Sequence, residues 1–185
     1  MKLVLIILVC LISPSAFSQD VVIKKNGNGD PCLEIKGSDR NTFIGDSVGI
    51  QNTGSYNIAV GFQALRDIST GNRNSVLGSN ALRAATSGSR NVAIGDSTLY
   101  SSNASNNTIV GSGAGVQNTG SWTTIIGVDA GKINNGAGNV FVGSSAGRQN
   151  QNGTTNTFVG DNAGSTSNGS SNTFIGSLAG KNGVG

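Results

Sequence analysis

The stretch Asn172-Thr173-Phe174-Ile175-Gly176-Ser177-Leu178-Ala179-Gly180 decides the reading of this chain, because its pattern Asn-x-x-aliphatic-Gly returns again and again upstream. Aligned on that pattern, nine copies carry their glycines at Gly45, Gly61, Gly78, Gly95, Gly111, Gly127, Gly143, Gly160 and Gly176, at spacings of 16 or 17 residues. Self-similarity at a fixed short period is the mark of a stacked repeat architecture. The residue before each glycine is always aliphatic (Ile44, Val60, Leu77, Ile94, Val110, Ile126, Val142, Val159, Ile175), and the one before that is apolar, from Ala59 to Phe158 in size. Asn stands four residues ahead of every glycine but Gly127, where Thr123 replaces it. A small residue, mostly Ala, follows three after the glycine and is itself followed by Gly or Leu. A second glycine, replaced once by Ala104, precedes each following Asn or Thr123 by three residues. The extra residue of a 17-residue copy falls between the small residue and the second glycine, which marks that segment as a loop tolerant of insertion.

A unit of this length with two glycines has room for two short strands and two turns, one coil of a β-solenoid or β-roll. Helical repeats are longer and avoid this much glycine. Coils stacked about 4.8 Å apart would make nine copies a rod of about 40 Å. Each column of the alignment then becomes a ladder along the rod. The Asn column suits either an amide ladder, each side chain bonding to the copies above and below, or a left-handed turn position. The glycine columns suit positive φ or close backbone approach. Two adjacent apolar columns must point to opposite faces of a strand, so one lines the interior and the other faces outward. With so sparse a core, the outward column is expected to be buried against other copies of the chain in a homo-oligomeric rod. The alternative is a differently flattened coil whose outward column lies under a loop.

Composition narrows the function classes. Gly, Asn and Ser fill 29, 23 and 24 of the 185 positions, only 11% is charged, histidine is absent and Glu34 is the single glutamate. Without His a Ser-His-Asp triad is impossible. The repeat-region carboxylates Asp46, Asp67, Asp96, Asp129 and Asp161 form no column pair for a glycosidase and do not recur in every unit as in calcium-binding solenoids. The expectation is therefore no catalysis, no metal and no cofactor. A net charge of +3 arises from few charges on a neutral background, so nucleic-acid binding gains no support. Gly111-Ser112-Gly113 is repeat punctuation, since a phosphate loop also needs a following helix. Arg66, Arg73, Arg83 and Arg90 cluster in the second and third copies and are the candidate ligand-binding residues, as a positive strip toward an acidic glycan. The competing reading makes them solvated loop charges that keep the rod soluble.

Residues 1–18 read as a secretory signal peptide, with Lys2, the apolar run Leu3 to Ile12 and a small-residue segment ending at Ser18, cut before Gln19. Ile7-Leu8-Val9 lacks the small residue expected before a lipidated Cys10, and no later run has the roughly 20 apolar residues of a spanning helix. Cleavage leaves Cys32 alone, without an intrachain disulfide partner. Within residues 19–40, Asp20 to Lys25 and Cys32 to Lys36 flank an Asn-Gly-Asn-Gly-Asp-Pro turn and read as a hairpin that caps the first coil.

Copies such as Asn91-Val92-Ala93-Ile94-Gly95 and the stretch from Asn172 to Gly180 resemble the head repeats of YadA-like trimeric autotransporter adhesins. They are similar also to the longer Asn-Thr-Phe-Ile-Gly-x-x-Ala-Gly arrays of related secreted bacterial fibre and adhesin-like proteins. The resemblance covers residues 41–185 and implies an all-β, left-handed parallel β-roll of nine coils, three chains side by side, at a bacterial surface. It implies a structural or adhesive fibre segment, secreted or associated with the outer membrane, that meets extracellular matrix, a glycan or another cell-surface ligand. Full-length adhesins of that family continue into a coiled-coil stalk and a membrane barrel, whereas this sequence has neither heptads nor barrel strands. It stops at Gly185, the second glycine of the ninth unit, without a cap, so a truncated head or an end covered by a partner is expected. Two alternatives share the architecture. An ice-binding solenoid needs a regular Thr face, and the column after Asn carries Thr at 42, 108, 124, 157 and 173 but Ile58, Ser75, Val92 and Val140 elsewhere. A phage-type tail-fibre shaft is opposed by the signal peptide.

Overall fold

The computed structural model describes the backbone of residues 20–25 and 31–36 and all of residues 39–183. The signal-peptide reading lies outside the described residues. The chain divides into two compact units, Met1–Ser38 and Asp39–Gly185. In the first, β1 (Asp20–Lys25) pairs antiparallel with β2 (Pro31–Lys36), with Asp20 opposite Lys36 and Lys24 opposite Cys32. This is the hairpin expected from the two apolar-alternating runs.

The second unit is a β-solenoid, and the described residues contain no helix. Nine three-residue strands form one parallel sheet in simple sequence order. They are β3 (Thr42–Ile44), β4 (Ile58–Val60), β5 (Ser75–Leu77), β6 (Val92–Ile94), β7 (Thr108–Val110), β9 (Thr124–Ile126), β11 (Val140–Val142), β12 (Thr157–Val159) and β13 (Thr173–Ile175). Two further strands, β8 (Gln117–Asn118) and β10 (Ile133–Asn134), pair in parallel on the return limb. Parallel neighbours need a crossover of a dozen or more residues, usually a helix. Here the rest of each coil supplies it, so the nine copies enclose eight full turns. Every strand meets the next in the register of the sequence columns, as in Phe141 against Phe158 and Val142 against Val159.

The buried column is the variable apolar one. Ala59, Val76, Ala93, Ile109, Ile125, Phe141 and Phe158 are buried, as is the Ala column from Ala64 to Ala163. The interior is filled by complementary volumes within each coil. Where the strand residue is large, the residue six positions on is glycine: Phe43 with Gly49, Ile125 with Gly131, Phe158 with Gly164. Where it is small, that residue is a buried leucine: Ala59 with Leu65, Val76 with Leu82, Ala93 with Leu99. A Cβ on Gly164 would stand 2.5 Å from the Phe158 ring, and one on Gly49 2.4 Å from the Phe43 ring. The rings also stack between coils, Phe158 lying 5.1 Å from Phe141 and 5.0 Å from Phe174.

The Asn column resolves into a ladder of a particular kind. The side-chain oxygen of Asn57 accepts the backbone N–H of Asn74 at 2.9 Å, and its amide donates to the Gly71 carbonyl at 2.9 Å. Asn74 repeats this on Asn91 and Gly88, and Asn139 on Asn156 and Gly153. The dominant partners are thus backbone groups of the next coil, with side-chain-to-side-chain bonds such as Asn74 to Asn57 at 3.1 Å added in places. The left-handed conformation falls one residue earlier, on Arg40, Tyr56, Arg73, Arg90, Asn106, Trp122, Thr155 and Ser171, all at φ between 54° and 62°. A buried amide that caps the neighbouring coil needs extended backbone, which pushes the turn onto its predecessor. Thr123 breaks the ladder: its hydroxyl donates to Asn107 at 2.8 Å but it offers no amide, while the Asn107 side-chain nitrogen is buried without a partner where the Gly120 carbonyl accepts Asn118 instead. Thr123→Asn is expected to raise stability by about 1 kcal/mol by giving the Asn139 N–H an acceptor, read as a higher thermal midpoint.

The two glycine columns have different causes. The first has φ between 122° and 145°, a region that side chains avoid, and also lies against the next coil, so that a Cβ on Gly78 would stand 2.2 Å from the Gly95 carbonyl oxygen. The second needs space only: a Cβ on Gly54 would stand 1.9 Å from the Gly71 oxygen, though Gly54 has no positive φ.

Candidate functional site

Inward packing of the middle strand residue turns both of its neighbours outward. The aliphatic column before the glycine therefore forms one continuous outer stripe on the nine-stranded sheet, with Ile44 at 48%, Leu77 at 50% and Ile175 at 72% exposed. The column on the other side holds Thr42, Ile58, Ser75, Val92, Thr108, Thr124, Val140, Thr157 and Thr173, each exposed or half-buried. No loop of the described chain covers the stripe at these residues. Parallel stacking gives the two columns a repeat of about 4.8 Å along the rod.

The four candidate arginines do not form one strip. Arg73 and Arg90 belong to the left-handed column that precedes Asn, with exposed side chains. Arg66 and Arg83 belong to a different ladder, on the return limb, which continues through Tyr100, Val116, Lys132 and Arg148 by backbone bonds such as Asp67 N–H to Arg83 and Ala84 N–H to Tyr100. Both are half-buried and occupied: Arg66 lies 3.7 Å from Asp67, and Arg83 stacks over Tyr100 at 5.8 Å while donating to its hydroxyl at 3.1 Å. Their closeness in sequence reflects two columns being sampled in each of two coils.

The left-handed column joins Arg73 and Arg90 to Arg40, Tyr56 and Trp122, which no motif marks. The Arg40 and Arg73 guanidiniums lie 5.2 and 5.4 Å from the Tyr56 ring centre, and Arg40 donates to the Tyr56 hydroxyl. Arg90 is on the next coil, and Trp122, 70% exposed, stands two coils further along. Reading the column one place before Asn would have found all of them.

Asp46, Asp96 and Asp161 share the column directly after the first glycine but sit three and four coils apart, about 14 and 19 Å along the stack. Each is bonded to its own successor, Ser47, Ser97 or Asn162. Among the described residues no group of three or more His, Cys, Asp or Glu side chains is placed to hold a metal ion, and no helix is long and apolar enough to cross a membrane.

Sheet order, register and the outward stripe define an all-β solenoid repeat protein. Comparison with protein-family models, with curated proteins and with solved structures finds no match to this chain.

Proposed function

We propose that this chain is the repeat rod of an exported fibre, a structural and adhesive element displayed at a bacterial surface and working as a homo-oligomer. The carrying observation is the uninterrupted aliphatic stripe from Ile44 to Ile175 on the outer face of the sheet. Contiguous exposed apolar surface of this kind marks an interaction site, and identical columns on identical chains are self-complementary along the rod. The resemblance of residues 41–185 to YadA-like head repeats supports three copies side by side, and the leader-like residues 1–18 support export. Repetition of one surface along a multichain rod provides multivalent contact in place of a pocket.

Sedimentation of the mature chain at micromolar concentration tests the reading. A particle of three chain masses is expected, and Leu77→Lys with Ile126→Lys, both on the stripe, should shift it toward the monomer while circular dichroism stays that of a β-rod. A wild-type chain that is folded and monomeric would overturn it.

A second reading has one observation in its favour. All five threonines of the column after Asn lie on the outer face of a regular parallel sheet, as ice binding requires. A thermal-hysteresis assay that returns nothing removes it.

A further inference from the structure

We propose that the left-handed column Arg40, Tyr56, Arg73 and Arg90 is a binding strip for an acidic polysaccharide lying lengthwise along the rod. The backbone of this column is held by a bond from each coil to the one before, Tyr56 N–H to Asp39, Arg73 N–H to Ser55 and Arg90 N–H to Asn72, so the side chains leave the rod in single file. From Arg40 to Arg90 the file covers three coil steps, about 14 Å. Arg73 and Arg90 stand on successive coils, both exposed, and neither makes an ion pair among the described residues. Asp39 lies beside Arg40 at the start of the file, so the unopposed cationic stretch is Arg73 and Arg90.

Guanidinium groups recognise carboxylate and sulfate bidentately. Placed at a constant rise, they favour an extended polyanion over a compact one, because each step along the rod repeats the same contact. Tyr56 holds Arg40 and Arg73 on its ring, fixing their planes and lowering the entropy lost on binding.

Two features favour a sugar chain over a nucleic acid. The Tyr56 ring, the one aromatic within the strip, is already engaged by guanidiniums, and the exposed Trp122 lies two coils beyond Arg90, so the strip itself offers no run of platforms for the base stacking that single strands need. The adjoining column carries hydroxyls at Ser55 and Ser89 beside the strip and at Ser105 and Ser121 just beyond it: Ser89 Oγ accepts the Asn72 N–H at 3.0 Å, and the Ser105 and Ser121 Oγ atoms accept the Ser89 and Ser105 N–H groups at 3.1 Å. Each keeps its own hydroxyl proton to donate to sugar oxygens.

The inference rests on the proposed extracellular placement only for the source of the ligand, and its test is independent of oligomeric state. Binding of the mature chain to heparin, a sulfated polysaccharide of alternating uronate and glucosamine, is measured against neutral dextran and an oligothymidylate across a salt series. Arg73→Asn with Arg90→Asn is the chosen variant, because Asn106 already occupies the same column at φ 62°. The matched control is Arg148→Asn with Lys181→Asn, exposed cations outside this column. The wild type is expected to bind heparin and not dextran. The first variant should lose at least tenfold in affinity, with the slope of log affinity against log salt smaller by about two, while the control stays within twofold. Circular dichroism and sedimentation should match the wild type for both. Equal losses in the two variants would assign the binding to net charge and overturn the strip. So would no binding by the wild type, or tighter binding to the oligothymidylate.

Discussion

Gly164→Leu is expected to destabilise the rod by about 2–5 kcal/mol, and Phe158→Ala introduced with it should recover most of that loss. The backbone at Gly164 already has φ 56°, so leucine adds left-handed strain of about 1–2 kcal/mol. Its Cβ would stand 2.5 Å from the Phe158 ring, which adds an overpacking cost of about 1–3 kcal/mol. Phe158→Ala alone empties the interior and costs about 3–5 kcal/mol. Together they recreate the Ala59 with Leu65 and Ala93 with Leu99 arrangement, in which leucines at φ 55° and 54° are fully buried. Chemical denaturation of the two single variants and the double should therefore give a favourable coupling of at least about 2 kcal/mol. Strict additivity would refute volume exchange within a coil.

The second large effect is a contrast between two glycines of one column. Gly127→Ala places a methyl 2.3 Å from the Gly143 carbonyl oxygen and 2.5 Å from its carbon, at φ 139°. Both atoms are backbone of the next coil, so no side chain can move aside. The coils must separate and the bonds between them lengthen, and a loss above about 3 kcal/mol is expected from strain and repacking together. Gly176→Ala meets only the Ala179 Cβ, at 4.0 Å, because no described coil follows it. There only the strain of φ 122° remains, about 1–3 kcal/mol. Equal thermal shifts in the two variants would show that conformation alone, and not contact with the following coil, selects glycine in this column.

Much of the solenoid was legible because its constraints are written in residue type. Glycines that touch the next coil, asparagines that cap it and the alternation of strand faces all repeat in register, and the structure pairs strands in that register. Alternation alone left open which apolar column lies inside. The answer is in the residue six positions on, since glycine opposite Phe158 and leucine opposite Ala93 make sense only if those partners share an interior. The Asn column by itself fits an amide-to-amide ladder or a turn. A side chain that bonds to a neighbour's backbone carries the same letter, and only the path of the chain distinguishes the three. Arg66, Arg73, Arg83 and Arg90 are near one another along the chain, whereas proximity in a solenoid is set by column. Tyr56 and Arg40 carry no signal in the sequence because their column has no common residue type.

That column has a consequence for how such a rod can change over generations. Its left-handed backbone is imposed by neighbours on either side along the chain and by the coil before, and the resulting penalty arises mainly at Cβ, so it depends little on what the side chain carries at its far end. The position therefore accepts arginine, tyrosine, asparagine, tryptophan, glycine, threonine and serine in turn, from Arg40 to Ser171, without disturbing the stack. A row that is conformationally rigid yet chemically indifferent behaves as a rewritable register. Mutation can alter the chemistry the rod displays there, one coil at a time, while the inherited scaffold stays the same.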